Sequence, residues 1–298
     1  MEFEFVTLDV FTARRFGGNQ LAVLPDARGL SGEQMQAIAA EFNYAESTFV
    51  LPPRDPSHSA NVRIFTPAGE MPFAGHPNVG TTFVLAELGR LHSDGGEGGH
   101  GTFEEIAGLV EVRSSVRDGV RTATIRAPRG LDRSEPVAPE IAAAAIGLPA
   151  SQLRGHAPVY AESGVGFLLV EVANVDVLAS AQVDPQRLRE VLPDGVGTGV
   201  YAFTREGQSS GYDARARMYA PFVGVSEDAA TGSAACVLAA VLTMEAGAEG
   251  HHTFQFEQGV EMGRPSSLDV EVICVDGLVD AIFLSGPCVP VMTGTLTI

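Results

Sequence analysis

Lysine is absent from this 298-residue chain, so all 19 of its basic residues are arginines. That absence removes two chemistries. There is no side-chain amine for a Schiff base, hence no covalently held pyridoxal phosphate, and no Walker-type lysine for nucleotide phosphates. Cysteine is scarce: Cys236, Cys274 and Cys288 make an odd number, at spacings that fit neither a disulfide framework nor a zinc site. Positive charge is in deficit as well. A formal net charge of −18 repels both a nucleic-acid backbone and an anionic membrane surface, so neither is an expected partner. No apolar run approaches the roughly 20 residues of a membrane span, and the opening MEFEFVTLDVFT carries acids where a signal peptide needs a basic region. The expected location is cytoplasmic.

What is present is enough apolar residue, 45%, for one large core or two ordinary ones, and usual domain sizes favour two. Val6, Leu8 and Val10 alternate as in a strand, and RRFGGNQLAVL turns into a second one, predicting a hairpin-like start. Ser31 and Gln34 have capping-box spacing, and Met35, Ile38, Ala39 and Phe42 recur at helical period, predicting an amphipathic helix that ends near Asn43. ESTFVL then reads as a strand with Glu46 at its start. The proline-bearing Ala127 to Glu140 is the candidate linker between halves, Leu91 to Gly101 is a glycine-rich loop, and two Asp-Gly pairs, at Asp118 and Asp276, predict hairpin turns.

One device occurs twice. EMPFAGHPNVGTTFVLAEL, from Glu70, aligns with EDAATGSAACVLAAVL, from Glu227, so that Ala74 meets Thr231, Gly75 meets Gly232 and His76 meets Ser233. Upstream, RIFTP from Arg63 matches RMYAP from Arg217. After each glycine comes a segment apolar almost all round, the pattern of a helix buried on every side. The chain therefore reads as a duplicated α+β fold, each half wrapping strands around its own helix.

The start of a helix offers unpaired N–H groups and partial positive charge, which suit a carboxylate or a polarised carbonyl, and glycine lets a ligand approach the backbone. Gly75 and Gly232 are therefore candidate substrate contacts, although each also permits a tight turn. His76 can donate a hydrogen bond or carry a proton, or simply cap its helix. Ser233 is a good capping residue with no nucleophile motif around it, and Glu227 and Asp228 could serve the helix dipole alone. Glu46 reads as an exposed acid between helix and strand.

The blocks FGGNQLAV, AESTFVL, RIFTPAGEMPFAGHPNVGT, EDAATGSAA and EQGVEMGRPS, in this order over nearly the whole chain, resemble the signatures of the phenazine-biosynthesis isomerase-like (PhzF-like) family. The resemblance implies a diaminopimelate epimerase-like fold: two similar domains, 1–129 plus 287–298 and 130–286, each a curled sheet around a central helix, with the site between them. It implies no cofactor, no metal and a homodimer. It implies Glu46 as catalytic acid/base, with His76 and Asp228 beside it, and Asn19, Gly75, Gly232 and Ser233 as substrate contacts. In the related racemases the two helix starts carry opposed cysteine bases. Here those positions are Ala74 and Thr231, neither a base at neutral pH.

One good base favours moving a double bond over inverting a stereocentre. The leading expectation is thus a cofactor-independent isomerase of a small cyclic or unsaturated carboxylic acid, such as dihydro-hydroxyanthranilate, with Tyr44 and Phe49 expected to supply apolar cover over Glu46. The alternatives are an epimerase using Glu46 and Asp228 as opposed bases, and a non-catalytic small-molecule-binding or interaction protein on the same fold.

Overall fold

The chain opens with a strand, β1 (Glu2–Val10), whose second half is buried throughout, and the Gly17–Gly18 turn folds the chain back into β2 (Asn19–Leu24), antiparallel to it with Val10 opposite Asn19. The computed structural model describes all residues except 94, 118, 128, 129, 156 and 193–196. It divides the chain into unit 1, Met1–Arg126 with Leu284–Ile298, and unit 2, Ala127–Phe283. Both junctions fall three residues before the expected ones, at 126 against 129 and at 283 against 286.

Unit 1 continues with α1 (Gly32–Phe42), β3 (Glu46–Leu51), β4 (Ala60–Phe65), β5 (Glu70–Met71), α2 (Gly75–Glu87), β6 (Gly99–Glu105), β7 (Gly108–Arg117) and β8 (Val120–Arg126). The capping box predicted at Ser31 and Gln34 is formed. Because β2 and β3 run parallel, a crossover must join them, and α1 supplies it. It buries Met35, Ile38 and Ala39 against Leu24, Phe49 and Phe65 on the outer face of the sheet. β3 pairs antiparallel with β4, β4 parallel with β6, and β6 to β8 form a meander, while the final strand of the chain returns along β1. Against the inner face lies α2, buried from Gly75 through Leu85 and packed on β1, β2, β3, β7 and β8. Such a helix has no polar face because the sheet curls around it.

Unit 2 repeats the plan. Its elements are β9 (Asp132–Arg133), α3 (Pro139–Ala145), β10 (Val159–Ser163), β11 (Val165–Glu171), α4 (Val175–Ser180), α5 (Pro185–Val191), β12 (Gly197–Thr204), β13 (Ala214–Ala220), β14 (Val225–Asp228), α6 (Gly232–Glu245), β15 (Gly250–Gln258), β16 (Ser266–Val275) and β17 (Leu278–Thr297), whose last part belongs to unit 1. β11 and β12 are parallel with α4 and α5 as crossover, β12 and β13 antiparallel, β13 and β15 parallel, and β15 and β16 antiparallel. α6 packs on β10, β11, β15 and β16, with Ala234 through Val241 buried.

The two registers agree residue by residue. With Arg63 set on Arg217, Ala60 falls on Ala214, and their parallel partners Phe103 and Phe256 then coincide. Gly75 and Gly232 each open the central helix of their unit. The expected linker, Ala127 to Glu140, is a correction: residues 128 and 129 lie outside the described ones, but Ser134 and Val137 hydrogen-bond the backbone of Tyr160 and Pro158, and Pro139 opens α3. Of the two predicted Asp-Gly turns, Asp118 lies outside the described residues, while Asp276 adopts the left-handed conformation between β16 and β17.

Candidate functional site

His76 is the second residue of α2 and does not cap it; Ala74 is the N-cap, and it makes no side-chain hydrogen bond to the helix. The first N–H groups of the helix are therefore left without a side-chain acceptor, as an anion site requires. Glu46 reaches this place from β3. Period-two alternation puts Glu46 and Thr48 on the face toward α2, where the Thr48 and Thr81 hydroxyls meet at 2.8 Å and lock strand to helix. Glu46 Oε2 lies 3.4 Å from His76 Nε2, with the two side chains 17% and 6% exposed.

Burial drives the His76 pKa down to about 3, against an opposing hydrogen bond that the ring donates to the Gln20 backbone, so the imidazole is neutral at physiological pH. Its Nε2 has no hydrogen-bond partner, and Asn19 Nδ2 approaches Nδ1 at 3.5 Å. An Asn amide at 3.5 Å is at the limit of hydrogen bonding. Asn19 itself is buried at the start of β2.

In unit 2, Asp228 ends β14 and Thr231 is the N-cap of α6, again without a side-chain cap bond to the helix. The Thr231 hydroxyl donates to Asp228 Oδ2 at 2.6 Å. Gln258 braces the same turn: its Oε1 accepts from Thr231 N at 3.1 Å and Tyr201 Oη at 3.2 Å, and its Nε2 donates to Asp228 O at 2.8 Å. Gly232 and Ser233 follow as the first two helical residues, and Ser233 is half-buried and does not cap the helix.

Two further expectations are corrected. Phe49 gives Glu46 no cover, because it stands one residue out of phase and packs with Phe65 on the outer face. Tyr44 leans on Phe42, which packs on that same outer cluster. Glu227 does not serve the helix dipole, since both its oxygens bind Arg217. Gln258 was missed by sequence reasoning, although its motif was quoted. The signal was a short repeat: TFEE ending at Glu105 matches QFEQ ending at Gln258.

Among the described residues, no group of three or more His, Cys, Asp or Glu side chains is placed to hold a metal ion, and no helix is long and apolar enough to cross a membrane.

A duplicated sheet-around-helix unit, with uncapped helix starts beside half-buried acids, defines an isomerase of the epimerase-like fold class. The comparisons with known proteins agree. An uncharacterised isomerase of Mesorhizobium japonicum is 37% identical, with 99% of this chain and 98% of that protein aligned. The trans-2,3-dihydro-3-hydroxyanthranilate isomerase of Pseudomonas aeruginosa is 34% identical over 95% of each. A phenazine biosynthesis protein of the PhzF family from Bacillus anthracis superposes with a TM-score of 0.90 at 25% identity, covering all of both chains. The chain belongs to the phenazine biosynthesis-like protein family, whose match runs over residues 8–294.

Proposed function

We propose that this protein is a cofactor-independent isomerase that shifts a proton within a small, unsaturated cyclic carboxylic acid, of the trans-2,3-dihydro-3-hydroxyanthranilate type, with Glu46 as acid and base. The observation that carries the reading is the contact between Glu46 and a neutral His76 at an uncapped helix start. An imidazolium there would pair with the carboxylate and quench its basicity. A neutral ring does not compete for the proton that Glu46 takes and returns.

In the proposed step Glu46 removes a proton from an allylic ring carbon. The C–H electrons move into the conjugated system, the double bond migrates, and the proton held on Glu46 is delivered to a second carbon on the same face. Atoms and charge balance without a second base. The developing negative charge would lie toward the substrate carboxylate, which the N–H groups at Gly75 and His76 suit, a stabilisation of several kcal/mol in a closed site. Asp228, Gly232 and Ser233 are proposed to supply the remaining polar contacts, with Asn19 helping to hold the His76 ring.

The duplication favours this one-base reading over an epimerase. Glu46 corresponds to Gly199, since Phe49 pairs with Arg63 as Ala202 pairs with Arg217. A Cβ at Gly199 would lie 2.0 Å from the Tyr219 carbonyl oxygen, so unit 2 has no room for a matching base. One oxygen of Asp228 is already engaged by Thr231. The test is incubation with trans-2,3-dihydro-3-hydroxyanthranilate and a panel of cyclic amino and hydroxy acids in deuterated buffer. Deuterium entering one face as the double bond moves is expected; inversion of a stereocentre, or no exchange with any compound, would contradict the reading.

A further inference from the structure

The register that equates the two units sets Glu105 on Gln258. In unit 1, β4 and β6 align Ala60 with Phe103 and Asn61 with Glu104; in unit 2, β13 and β15 align Ala214 with Phe256, Arg215 with Glu257 and Ala216 with Gln258. The middle residues behave alike. Glu104 accepts from the backbone N–H groups of Arg54 and Asp55 and from Asn61, while Glu257 accepts from Ser209 N and Arg215. The third residues differ. Gln258 holds the start of α6 with a donor and an acceptor, and Glu105, as a carboxylate, has acceptors alone.

Glu105 is 8% exposed, and neither of its oxygens has a hydrogen-bond partner. Its polar neighbour is Asn78, one turn into α2 and fully buried. The Asn78 amide nitrogen donates to Ala74 O, the N-cap carbonyl, at 3.0 Å, and its Oδ1 also lacks a partner. Both Glu105 oxygens and Asn78 Oδ1 are thus buried without a hydrogen-bond partner, while the Asn78 amide nitrogen is turned to Ala74 O. A carboxylate here would be a poorly compensated buried charge, whereas one added proton gives Glu105 a donor as well as an acceptor toward the Asn78 amide. A protonated carboxyl has the shape of an amide and, like Gln258, offers one donor and one acceptor. The turn after Glu105 also holds the approach to α2, through Ala107 N to Pro72 O at 3.0 Å.

We propose that Glu105 is kept as the neutral acid and works as the counterpart of Gln258, a positioning residue that braces the start of α2 through Asn78 and so aims Gly75 and His76. Charged groups around it are engaged elsewhere. Arg63 of β4 binds Glu70, Glu111 of β7 binds Arg126 and Glu87 of α2 binds Arg121, and Arg113 of β7 makes an interaction of its own. Glu104 points to the other face, toward Arg54 and His58, and His76 of α2 is neutral. Burial pushes the Glu105 carboxyl up to about 8, with the Asn78 amide opposing. The brace is therefore intact at neutral pH and released above it.

The inference concerns the α2 start and does not depend on which substrate is turned over, so its test needs no substrate. Carboxyl carbon NMR of glutamate-labelled, ligand-free protein, with the Glu105 signal identified by its loss in Glu105→Gln, should give a midpoint near 8 in place of 4.5. The His76 ring signals should move with that same midpoint in the natural protein and stay constant across it in Glu105→Gln. A Glu105 midpoint near 4.5, or His76 signals indifferent to Glu105 ionisation, would overturn the proposal. Failure to find any substrate would leave this result untouched and count against the proposed function alone.

Discussion

Arg63 grips Glu70 through two parallel bonds of 2.6 and 2.7 Å, and Arg217 grips Glu227 in the same way at 2.8 and 2.9 Å. Each guanidinium also lies over the ring two residues on, Phe65 at 5.0 Å and Tyr219 at 5.1 Å. The acids that open the repeated device are thus pins. Each fixes a short strand, β5 or β14, to its neighbour and carries the chain toward a central helix. Fork geometry adds direction to strength, which a lysine would not supply.

The unit 2 fork is the less exposed, at 11% and 18% against 30% and 25% for unit 1. Glu227→Ala strands a largely buried guanidinium and should cost about 2–3 kcal/mol, and Glu70→Ala about 1 kcal/mol, because water can reach Arg63. Urea unfolding of both variants checks the ranking. Equal losses, or a larger one at Glu70, would contradict it.

Gly199 should not tolerate a side chain. Its added Cβ would collide with backbone atoms of Tyr219 and Ala220, which cannot yield as a flexible side chain can. Gly199→Ala should cost at least about 2–3 kcal/mol by overpacking, whereas Gly69→Ala, with nothing within 4 Å of the new methyl, should change stability by well under 1 kcal/mol. Thermal unfolding of the pair decides it.

The duplication and the central helices were legible because each rests on many residues: a device repeated from Glu70 and Glu227, and apolar runs too uniform for a surface helix. The capping box at Ser31 was legible because it is local. Phe49 was misread for want of strand phase, since Glu46 and Thr48 look inward while Ser47 and Phe49 do not. The roles of Glu227 and Gln258 were hidden for another reason. A fork to Arg217 ten residues away and a brace from β15 to Thr231 are set by strand pairing, which spacing along the chain does not reveal. His76 and Ser233 look like caps until the helices are seen to begin one residue earlier.

His76 titrates against a buried site, and the sign follows. Its folded pKa, about 3, is below the unfolded 6.5, so between these values the unfolded state binds more protons and stability falls as pH is lowered. The contribution is fully present above pH 6.5 and lost toward pH 3. His76→Gln should flatten that part of the profile in denaturant unfolding at successive pH values; an unchanged slope would refute the buried neutral ring.

The cysteines should be dispensable. All three are buried, and burial pushes the thiols up, Cys236 to about 12, so little thiolate forms at neutral pH. A thiol reagent should react with the native protein far more slowly than with the unfolded one. Replacing all three by alanine should cost about 1 kcal/mol per site and leave turnover intact. Rapid stoichiometric inactivation of folded protein would count against this.

The account turns on Glu46, and Glu46→Gln keeps the shape of the side chain while removing its base. Proton–deuterium exchange into trans-2,3-dihydro-3-hydroxyanthranilate, followed alongside ligand binding, measures the difference directly. The account predicts binding within a few-fold of the natural protein and exchange reduced by at least about 100-fold, the lower end of what a positioned general base supplies. A Glu46→Gln protein that exchanges at a near-normal rate would contradict it.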